Sequence, residues 1–262
     1  MQVRDASAND FDVYVRLFRE LGVDEGTVSR DRFSSDLCRR MLVATDVNAM
    51  VGYLLYEILD GTGYVRNVVS DPDRRRSGIG HALMDHARER FVGAGASTWC
   101  LNVKADNLAA ISLYEKVGMT LRYRTTVLRL PRTIALAAPD PAYTLVPVPP
   151  DTDEVVEARF HLLAGQLASA RTKPGRLVAQ LVHDGDVVGV GVFAAAIPGS
   201  FPWRLVAREH AAAFLGQLRE HTPDEASWLQ VGVEDDDALV EHVRALGAYV
   251  HLELLHMHGS IA

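Results

Sequence analysis

The sequence predicts an α/β protein in which a mixed sheet with antiparallel hairpins is flanked by helices, and in which this unit is duplicated. Two observations support the α/β class. Strand-like and helical segments alternate from Gln2 to Leu130, and a loop rich in glycine and arginine joins one strand to one helix. The third observation is that a loosely similar order of segments recurs after residue 142, which predicts the duplication.

Size and composition fit this class. The chain has 262 residues, 48% apolar and 23% charged, which suits one large or two small soluble domains. A net charge of -7 argues against a general nucleic-acid binder. Cys38 and Cys100 are the only cysteines, so we expect a reducing compartment. The N-terminal residues contain no apolar signal region and no run has membrane-spanning length, so we predict a cytoplasmic protein that does not bind membranes.

The first helices follow from apolar periodicity. Tyr14 and Leu17 share one face of a helix expected over Ala8–Leu21, and Gly22 follows it as a C-cap glycine. A second helix is expected over Ser29–Arg40. The later helices of this unit are expected at residues 80–92 and after a cap at Asp106 or Asn107, and Gly118 closes the last of them.

The strands of the first unit are rich in β-branched and aromatic residues. Asp46–Asn48 is predicted to form a hairpin turn, and Pro72 to end the strand before it. The mostly apolar run Thr98–Val103 indicates a buried central strand. The full set of expected strands is Gln2–Arg4, Met41–Thr45, Ala49–Leu59, Gly63–Ser70, Thr98–Val103 and Met119–Leu130.

The stretch Asp71–Gly80 organises this unit. It links the strand Gly63–Ser70 to a helix in which an apolar residue recurs every fourth position from Ile79. The first amides of a helix carry positive partial charge and have no partner within the helix. Gly78 and Gly80 remove side chains where a ligand approaches the backbone, and three arginines precede them. The pattern predicts a phosphate cradle.

A proline-rich segment separates the two units. Pro131–Pro150 contains six prolines without helical period and is interpreted as a linker plus a first strand at Tyr143–Val146. The hairpin candidate Asp184–Gly189 loosely resembles Val47–Gly52 in sequence, and Leu229–Val231 resembles Leu101–Val103. A helix over residues 236–246, ended by a glycine, and a closing strand over residues 248–256 follow. We predict two domains, residues 1–132 and 142–262, related by a diverged duplication.

Two motifs resemble those of the GNAT superfamily of N-acetyltransferases. The acyl-CoA signature, Arg or Gln, two residues, Gly, one residue, Gly or Ala, stands here as Arg75–Gly80. The second signature begins at Asn102–Asn107 and continues through Ala110 to Leu113–Met119. The local sequence of the two motifs is most similar to that of bacterial members that acetylate the N-terminus of a ribosomal protein. The two-unit arrangement is similar to that of tandem members. A Walker loop is rejected because it requires a Gly-Lys pair that this loop lacks. A dinucleotide-binding fingerprint is rejected because its third glycine is missing.

The resemblance implies a fold with a mixed, mostly antiparallel central sheet, and acetyl-CoA as cosubstrate. The strand before the loop is expected to splay and bind pantetheine through its backbone, with the Val69 amide polarising the thioester carbonyl. Tyr114 matches the family's general acid for the departing thiolate. The implied cofactor-binding residues are Val68, Val69, Ser70, Arg75, Arg76, Ser77, Gly78, Ile79, Gly80, His81 and Asn107.

Each assignment has a structural alternative. Gly78 and Gly80 can form an empty turn, and Arg74 and Arg76 can simply be solvated. Tyr114 can be a packed core tyrosine, and Asn107 a helix cap alone. Asn102 is interpreted as structural rather than catalytic. The histidines near the C-terminus, His251, His256 and His258, have no convincing ligand set, and no metal site is predicted.

The general base is not visible in the sequence. The strand before the loop offers Tyr64, Arg66 and Asn67 but no carboxylate, which leaves a water chain, or Glu57 on the preceding strand. The acceptor is a small-molecule or peptide amine; a peptide N-terminus, a lysine, an antibiotic amine and a small metabolite all remain open.

The second unit departs from the pattern. Its corresponding loop, Pro198–Arg204, lacks the signature, and Val243 stands where Tyr114 stands in the first unit. We expect this unit not to bind acetyl-CoA in the family's manner and to wall the acceptor site, stabilise the first domain or mediate assembly, for example as a homodimer. Two alternatives to an acetyltransferase remain, a non-catalytic acetyl-CoA sensor and a scaffold with an empty loop.

Overall fold

A computed structural model describes residues 1–22, 26, 28–47, 49–59, 61–136 and 140–261. Asn48 of the predicted hairpin turn and residues 137–139 of the predicted linker lie outside these ranges. The chain contacts divide the protein into two units, Met1–Arg122 with Leu255–Ala262, and Tyr123–Leu254. Within the described ranges, no helix combines the length and apolar content that a membrane span requires.

The elements alternate between strands and helices in both units. The first part of the chain contains β1 (Gln2–Asp5), α1 (Phe11–Phe18), α2 (Arg30–Ser35), β2 (Met41–Asp46), β3 (Ala49–Leu59), β4 (Thr62–Ser70), α3 (Ile79–Gly93), β5 (Thr98–Lys104), α4 (Leu108–Lys116) and β6 (Thr120–Pro131). The rest contains β7 (Tyr143–Pro147), α5 (Asp153–Arg159), α6 (Gln166–Arg171), β8 (Arg176–His183), β9 (Asp186–Ala194), β10 (Gly199–Leu205), α7 (Ala211–Glu220), β11 (Trp228–Glu234), α8 (Asp237–Ala245) and β12 (Tyr249–Ser260).

The sheet of the first unit is mixed and mostly antiparallel. Its strands follow the order β1-β2-β3-β4-β5, and β12 lies beside β5. The pairs β1–β2, β2–β3 and β3–β4 are antiparallel, whereas β4 and β5 are parallel. Since α3 connects β4 to β5, the loop that starts α3 lies at the carboxyl end of a parallel strand, where α/β folds place ligands.

Two apolar layers cover this sheet. Alternate residues of β2 join different clusters, since Leu42 packs with the α3 side and Val43 with the α1 side. Leu83 and Phe91 of α3 are fully buried in the first cluster, and Leu17 of α1 is fully buried in the second. The apolar faces from which α1 and α3 were predicted are therefore the faces that pack in the core.

The predicted secondary structure of this unit is largely confirmed, with one correction. Ser29–Arg40 is not one helix, because α2 ends at Ser35 and a 3-10 turn over Leu37–Arg40 follows. The carboxylate of Asp36 accepts hydrogen bonds from Nε and Nη2 of Arg40, at 3.1 and 2.7 Å. Asp36, with φ of −119°, ends α2, and the turn that follows directs Arg40 Nη1 to Glu57 on β3, at 2.7 Å.

The second unit repeats the pattern of strand pairing. Hairpins β7–β8, β8–β9 and β9–β10 are antiparallel, and β10 pairs in parallel with β11. Its two clusters are centred on Phe214 with Trp203, and on Leu167 with Val190. β11 pairs antiparallel with β6 over Thr125–Pro131, so most of β6 belongs here.

The closing strand differs from the prediction. It continues beyond His256 to Ser260, and from Leu255 onward it belongs to the first unit. Met257 and Ile261 are buried in the same cluster as Leu83. Contact-based units thus divide the chain at different points from the predicted domains 1–132 and 142–262, which stay a prediction.

Candidate functional site

β4 and β5 diverge within the sheet. Their parallel pairing runs from Thr62 with Thr98 to Val65 with Leu101, although β4 continues to Ser70 and β5 to Lys104. At this point β4 also bulges, because Leu55 pairs with Asn67 and Tyr56 with Val65, which leaves Arg66 as the extra residue. The far half of β4 therefore presents one backbone edge to an extended ligand, as in strand addition.

The residues of this half of β4 point alternately to the two layers. Val68 packs against the α3 side and Val69 is buried on the α1 side. The side chain of Val69 therefore lies away from the cleft. Val69 pairs with Tyr53 in the same phase as Asp71, whose amide donates to the carbonyl of Val51 at 2.8 Å, so the Val69 amide faces β3 and this pairing does not favour the role expected of it. Val68, Val69 and Ser70 all lie past the last β4–β5 pair.

The loop before α3 forms a concave backbone turn. Arg76 and Gly78 have φ of 63° and 83°, in the left-handed region. The amide of Ala82 donates to the carbonyl of Gly78 at 3.0 Å, so the preceding amides, those of Ile79, Gly80 and His81, have no acceptor within the helix. A Cβ at position 78 would meet nothing within 4 Å. Open space and the positive helix end together fit a phosphate group.

The arginines of the loop are partly engaged. Arg75 binds Glu20 at 2.9 Å and Arg74 binds Asp46 at 3.2 Å. Arg76 makes no ion pair with any residue that the structure describes, and its side chain is exposed. Arg76 is thus the loop arginine that can bind a ligand without first breaking an ion pair.

Gly80 has a different role from the one that the sequence suggested. A Cβ at this position would lie 2.8 Å from Cδ2 of Leu113 on α4. The glycine therefore also allows α3 and α4 to approach each other, whereas a Cβ at Gly78 would enter open space.

Asn107 caps α4. Its Oδ1 accepts a hydrogen bond from the amide of Ala110 at 3.2 Å, and its side chain is exposed. The side-chain oxygen of Asn107 therefore acts as a helix cap, as the structural alternative expected. The cap does not use the amide nitrogen of the side chain, which leaves two donors for a ligand.

Tyr114 is buried on the inner face of α4. It is 7% exposed and packs in the cluster that contains Leu83, so the core alternative is also correct. Burial raises the pKa of its phenol to about 12. The phenol is therefore neutral at physiological pH, which a proton donor requires, but it is a weaker acid than an exposed tyrosine.

Glu57 is held in an ion pair. It is buried, and its Oε1 lies 2.7 Å from Nη1 of Arg40 and 3.5 Å from Nε of Arg66. A carboxylate bound by two guanidinium groups is a poor proton acceptor, so this contact weakens the case for Glu57 as general base.

A hydrogen-bonded chain that the sequence did not reveal lies where β4 and β5 diverge. Nδ2 of Asn102 donates to the hydroxyl of Tyr64 at 2.8 Å, and Nδ1 of His256 lies 3.0 Å from Oδ1 of Asn102. A signal existed in β5, since Cys100 and Asn102 alternate with apolar residues that face the α3 layer. Nothing in the sequence pointed to His256 as the third member.

The second unit lacks an equivalent loop. Only Val206 and Ala207 and a 3-10 turn over Arg208–His210 separate β10 from α7, and within residues 206–210 no residue has positive φ. Val243 is fully buried in α8. These features support the prediction that this unit does not cradle a phosphate in the same way.

A splayed strand pair and a glycine-started helix define the first unit as an α/β domain suited to a phosphate-bearing extended ligand. Residues 11–119 match the model of the Acetyltransferase (GNAT) family. The recognition made from the sequence motifs is confirmed.

Known relatives agree with this assignment. The [Ribosomal protein bS18]-alanine N-acetyltransferase of Escherichia coli (strain K12) is 33% identical over 92 residues, which are 34% of this chain and 62% of that protein. The chain thus spans less than two thirds of the length of this relative.

The two-unit fold has solved counterparts. A putative acetyltransferase from Pyrococcus horikoshii has a TM-score of 0.73 at 14% identity, covering 99% of this chain and 89% of that one. A tandem GNAT protein from the clavulanic acid biosynthesis pathway has a TM-score of 0.63 at 20% identity, covering 100% and 98%. These likenesses confirm the predicted duplicated GNAT fold.

Proposed function

We propose that the protein is an N-acetyltransferase that moves an acetyl group from acetyl-CoA to a primary amine by direct attack. The observation that carries this proposal is the divergence of β4 and β5 after Val65 and Leu101, next to the amide cradle at Gly78. The relative from Escherichia coli acetylates an alanine of a ribosomal protein, which supports an amine as the acceptor class.

The residues of the loop and of β4 fit acetyl-CoA. The amides of Arg76–His81 would hold the pyrophosphate, with Arg75 and Arg76 adding charge at the mouth. The backbone of Val68, Val69 and Ser70 would bind the pantetheine as an added strand. Asn107 would contribute the amide nitrogen that its cap leaves unused. Bound acetyl-CoA supplies the activated thioester.

Tyr114 is the proposed general acid. Its phenol holds a proton over the whole physiological range, because burial raises its pKa to about 12. A free thiol has a pKa of about 8.5, so proton transfer from this phenol to a solvated thiolate is unfavourable. Burial of the thiolate in the same apolar cluster would raise its pKa as well and bring the two groups closer.

The attacking amine must lose a proton, and among the described residues of β3 and β4 the one carboxylate is the ion-paired Glu57. We propose that water receives the proton, and that the enzyme selects the neutral amine.

The test is substitution of Tyr114 by Phe, which removes the hydroxyl and keeps the buried ring. Acetyl-CoA consumption by the wild type is first measured against a panel of peptide N-termini, amino-acid amides, alkylamines and aminoglycosides. We expect Tyr114→Phe to lower kcat about 10²-fold or more, while CoA affinity by calorimetry stays within twofold.

The other outcomes decide between functions. CoA binding without acetyl transfer to any amine of the panel would show a non-catalytic sensor. Absence of CoA binding would show that the loop is empty, and it would overturn both the acetyltransferase and the sensor function. Unchanged turnover in Tyr114→Phe would remove Tyr114 from the mechanism but leave the acetyltransferase intact.

A further inference from the structure

Asn102 joins β4 to β5 by its side chain where their backbones separate. The last backbone pair is Val65 with Leu101, so Asn102 is the first residue of β5 past it. Its Nδ2 lies 2.8 Å from the hydroxyl of Tyr64 on β4. The hydroxyl therefore lies beside Asn102, where the backbones of β4 and β5 begin to separate.

The direction of these hydrogen bonds follows from the placement of Oδ1 of Asn102 against His256 and of Nδ2 against Tyr64. This histidine is 2% exposed, and its Nδ1 lies 3.0 Å from Oδ1 of Asn102. A carbonyl oxygen only accepts, so Nδ1 carries the hydrogen and donates it. Asn102 then presents its NH₂ group to Tyr64, whose oxygen is the acceptor. The hydroxyl hydrogen of Tyr64 consequently points away from Asn102.

The surroundings of Tyr64 also favour donation. Its side chain is half-buried, and the guanidinium carbon of Arg66 lies 4.9 Å from the centre of its ring. Burial raises the pKa of the phenol, which keeps the hydrogen in place. A neutral hydroxyl donor beside a guanidinium group is suited to an oxygen atom rather than to a cation.

We propose that the Tyr64 hydroxyl contacts the acyl acceptor and donates a hydrogen bond to an oxygen near the attacking nitrogen, and that Asn102 and His256 are positioning residues that fix this direction. The acceptor class is then an amine with a neighbouring carbonyl or carboxylate oxygen. This inference rests on the proposed function and names the acceptor subsite of that same cleft.

The experiment compares two acceptors and four variants. The acceptors are alaninamide, which has the oxygen, and sec-butylamine, which has a similar skeleton without it; rates are referred to the neutral amine. Tyr64→Phe removes the donor. Asn102→Asp keeps the shape but cannot donate, so it reverses the hydrogen bond to Tyr64. His256→Asn keeps a nitrogen donor close to the position of Nδ1, and His256→Leu removes it.

The wild type should prefer alaninamide by about tenfold or more in kcat/KM, mainly through KM, which is the size expected for one well-placed hydrogen bond. Tyr64→Phe, Asn102→Asp and His256→Leu should abolish this preference, and His256→Asn should restore most of it. The melting temperature and the CoA affinity are recorded in parallel, because a merely structural tie would change stability without changing the ratio between acceptors.

Three results would overturn the proposal. These are a wild type that prefers sec-butylamine, a preference for alaninamide that survives in Tyr64→Phe, and an Asn102→Asp variant that behaves like the wild type. If the wild type binds CoA and acetylates an amine, each of these results removes only the subsite. If it does neither, the proposed function fails and the subsite fails with it.

Discussion

Gly80 on α3 packs against Leu113 on α4, and a methyl group at position 80 would require the Leu113 side chain to move. A Cβ there would lie 2.8 Å from Cδ2 of Leu113. The two motifs of the site are thus joined by one packing contact, because α3 begins at the phosphate cradle and α4 carries Tyr114. A glycine that looks like part of a ligand-binding loop in the sequence therefore also sets the distance between two helices.

Gly80→Ala should destabilise the protein by about 1 kcal/mol relative to Gly93→Ala, since Cδ2 of Leu113 must move to admit the added methyl. The measurement is chemical denaturation followed by circular dichroism. Gly93→Ala is the matched control at the other end of α3, where a Cβ meets nothing within 4 Å. The control should be neutral or stabilising, because alanine is the better helix former. Equal losses for both variants would contradict the packing explanation.

Gly78→Ala should mainly affect ligand binding. The residue has φ of 83°, so alanine costs about 1–2 kcal/mol of backbone strain, but its Cβ would point into open space. If that space holds the pyrophosphate, CoA affinity should fall at least tenfold, as measured by calorimetry at a temperature where the variant is folded. A variant with unchanged affinity would place the phosphates elsewhere.

The two functions assigned to Asn107 can be separated by two substitutions. Asn107→Ala should cost about 1 kcal/mol of stability, because the hydrogen bond to the Ala110 amide is lost. Asn107→Asp keeps the capping oxygen and should retain stability, but it replaces the NH₂ donors with a negative charge and should weaken CoA binding. Thermal unfolding and calorimetry on both variants measure the two effects. CoA affinity unchanged in Asn107→Asp would assign the residue to the cap alone.

The pH dependence of turnover follows from the state of Tyr114. Burial raises the pKa of its phenol to about 12, so the proton is present at lower pH and is lost only as pH rises towards that value. The rate should therefore increase as the acceptor amine becomes neutral and should not decline between pH 8 and about 10. Profiles of kcat/KM for two amines of different pKa test this. A descending limb near pH 9 that disappears in Tyr114→Phe would show that the phenol ionises much earlier.

Local patterns predicted most of the fold and part of the site. The period of α3, the cap at Asn107 and the missing side chain at Gly78 are properties of short segments, so the sequence reveals them directly. The packing of Gly80 against Leu113 and the ion pair of Glu57 with Arg40 depend on residues that are distant along the chain. The same is true of His256, which reaches Asn102 from 154 positions away.

The division of the closing strand was missed for a related reason. Periodicity predicts a strand near residues 248–256, but it carries no information about the neighbours of that strand in the sheet. Only the contacts assign Leu255 and the residues after it to the first unit. The resemblance to a family adds roles for the residues of the two motifs, and Tyr64 is not one of these residues.

The return of β12 to the first unit has a consequence for biosynthesis. Met257 and Ile261 complete the core that contains Leu83, yet Tyr123–Leu254 is translated before them. The first unit therefore cannot finish folding as it leaves the ribosome, although its helices and hairpins are made first. Its sheet closes only after a loop-closure event over more than a hundred residues, which is slow compared with local folding. A ligand site built on this sheet would thus be complete only after the segment that contains Met257 and Ile261 has been made.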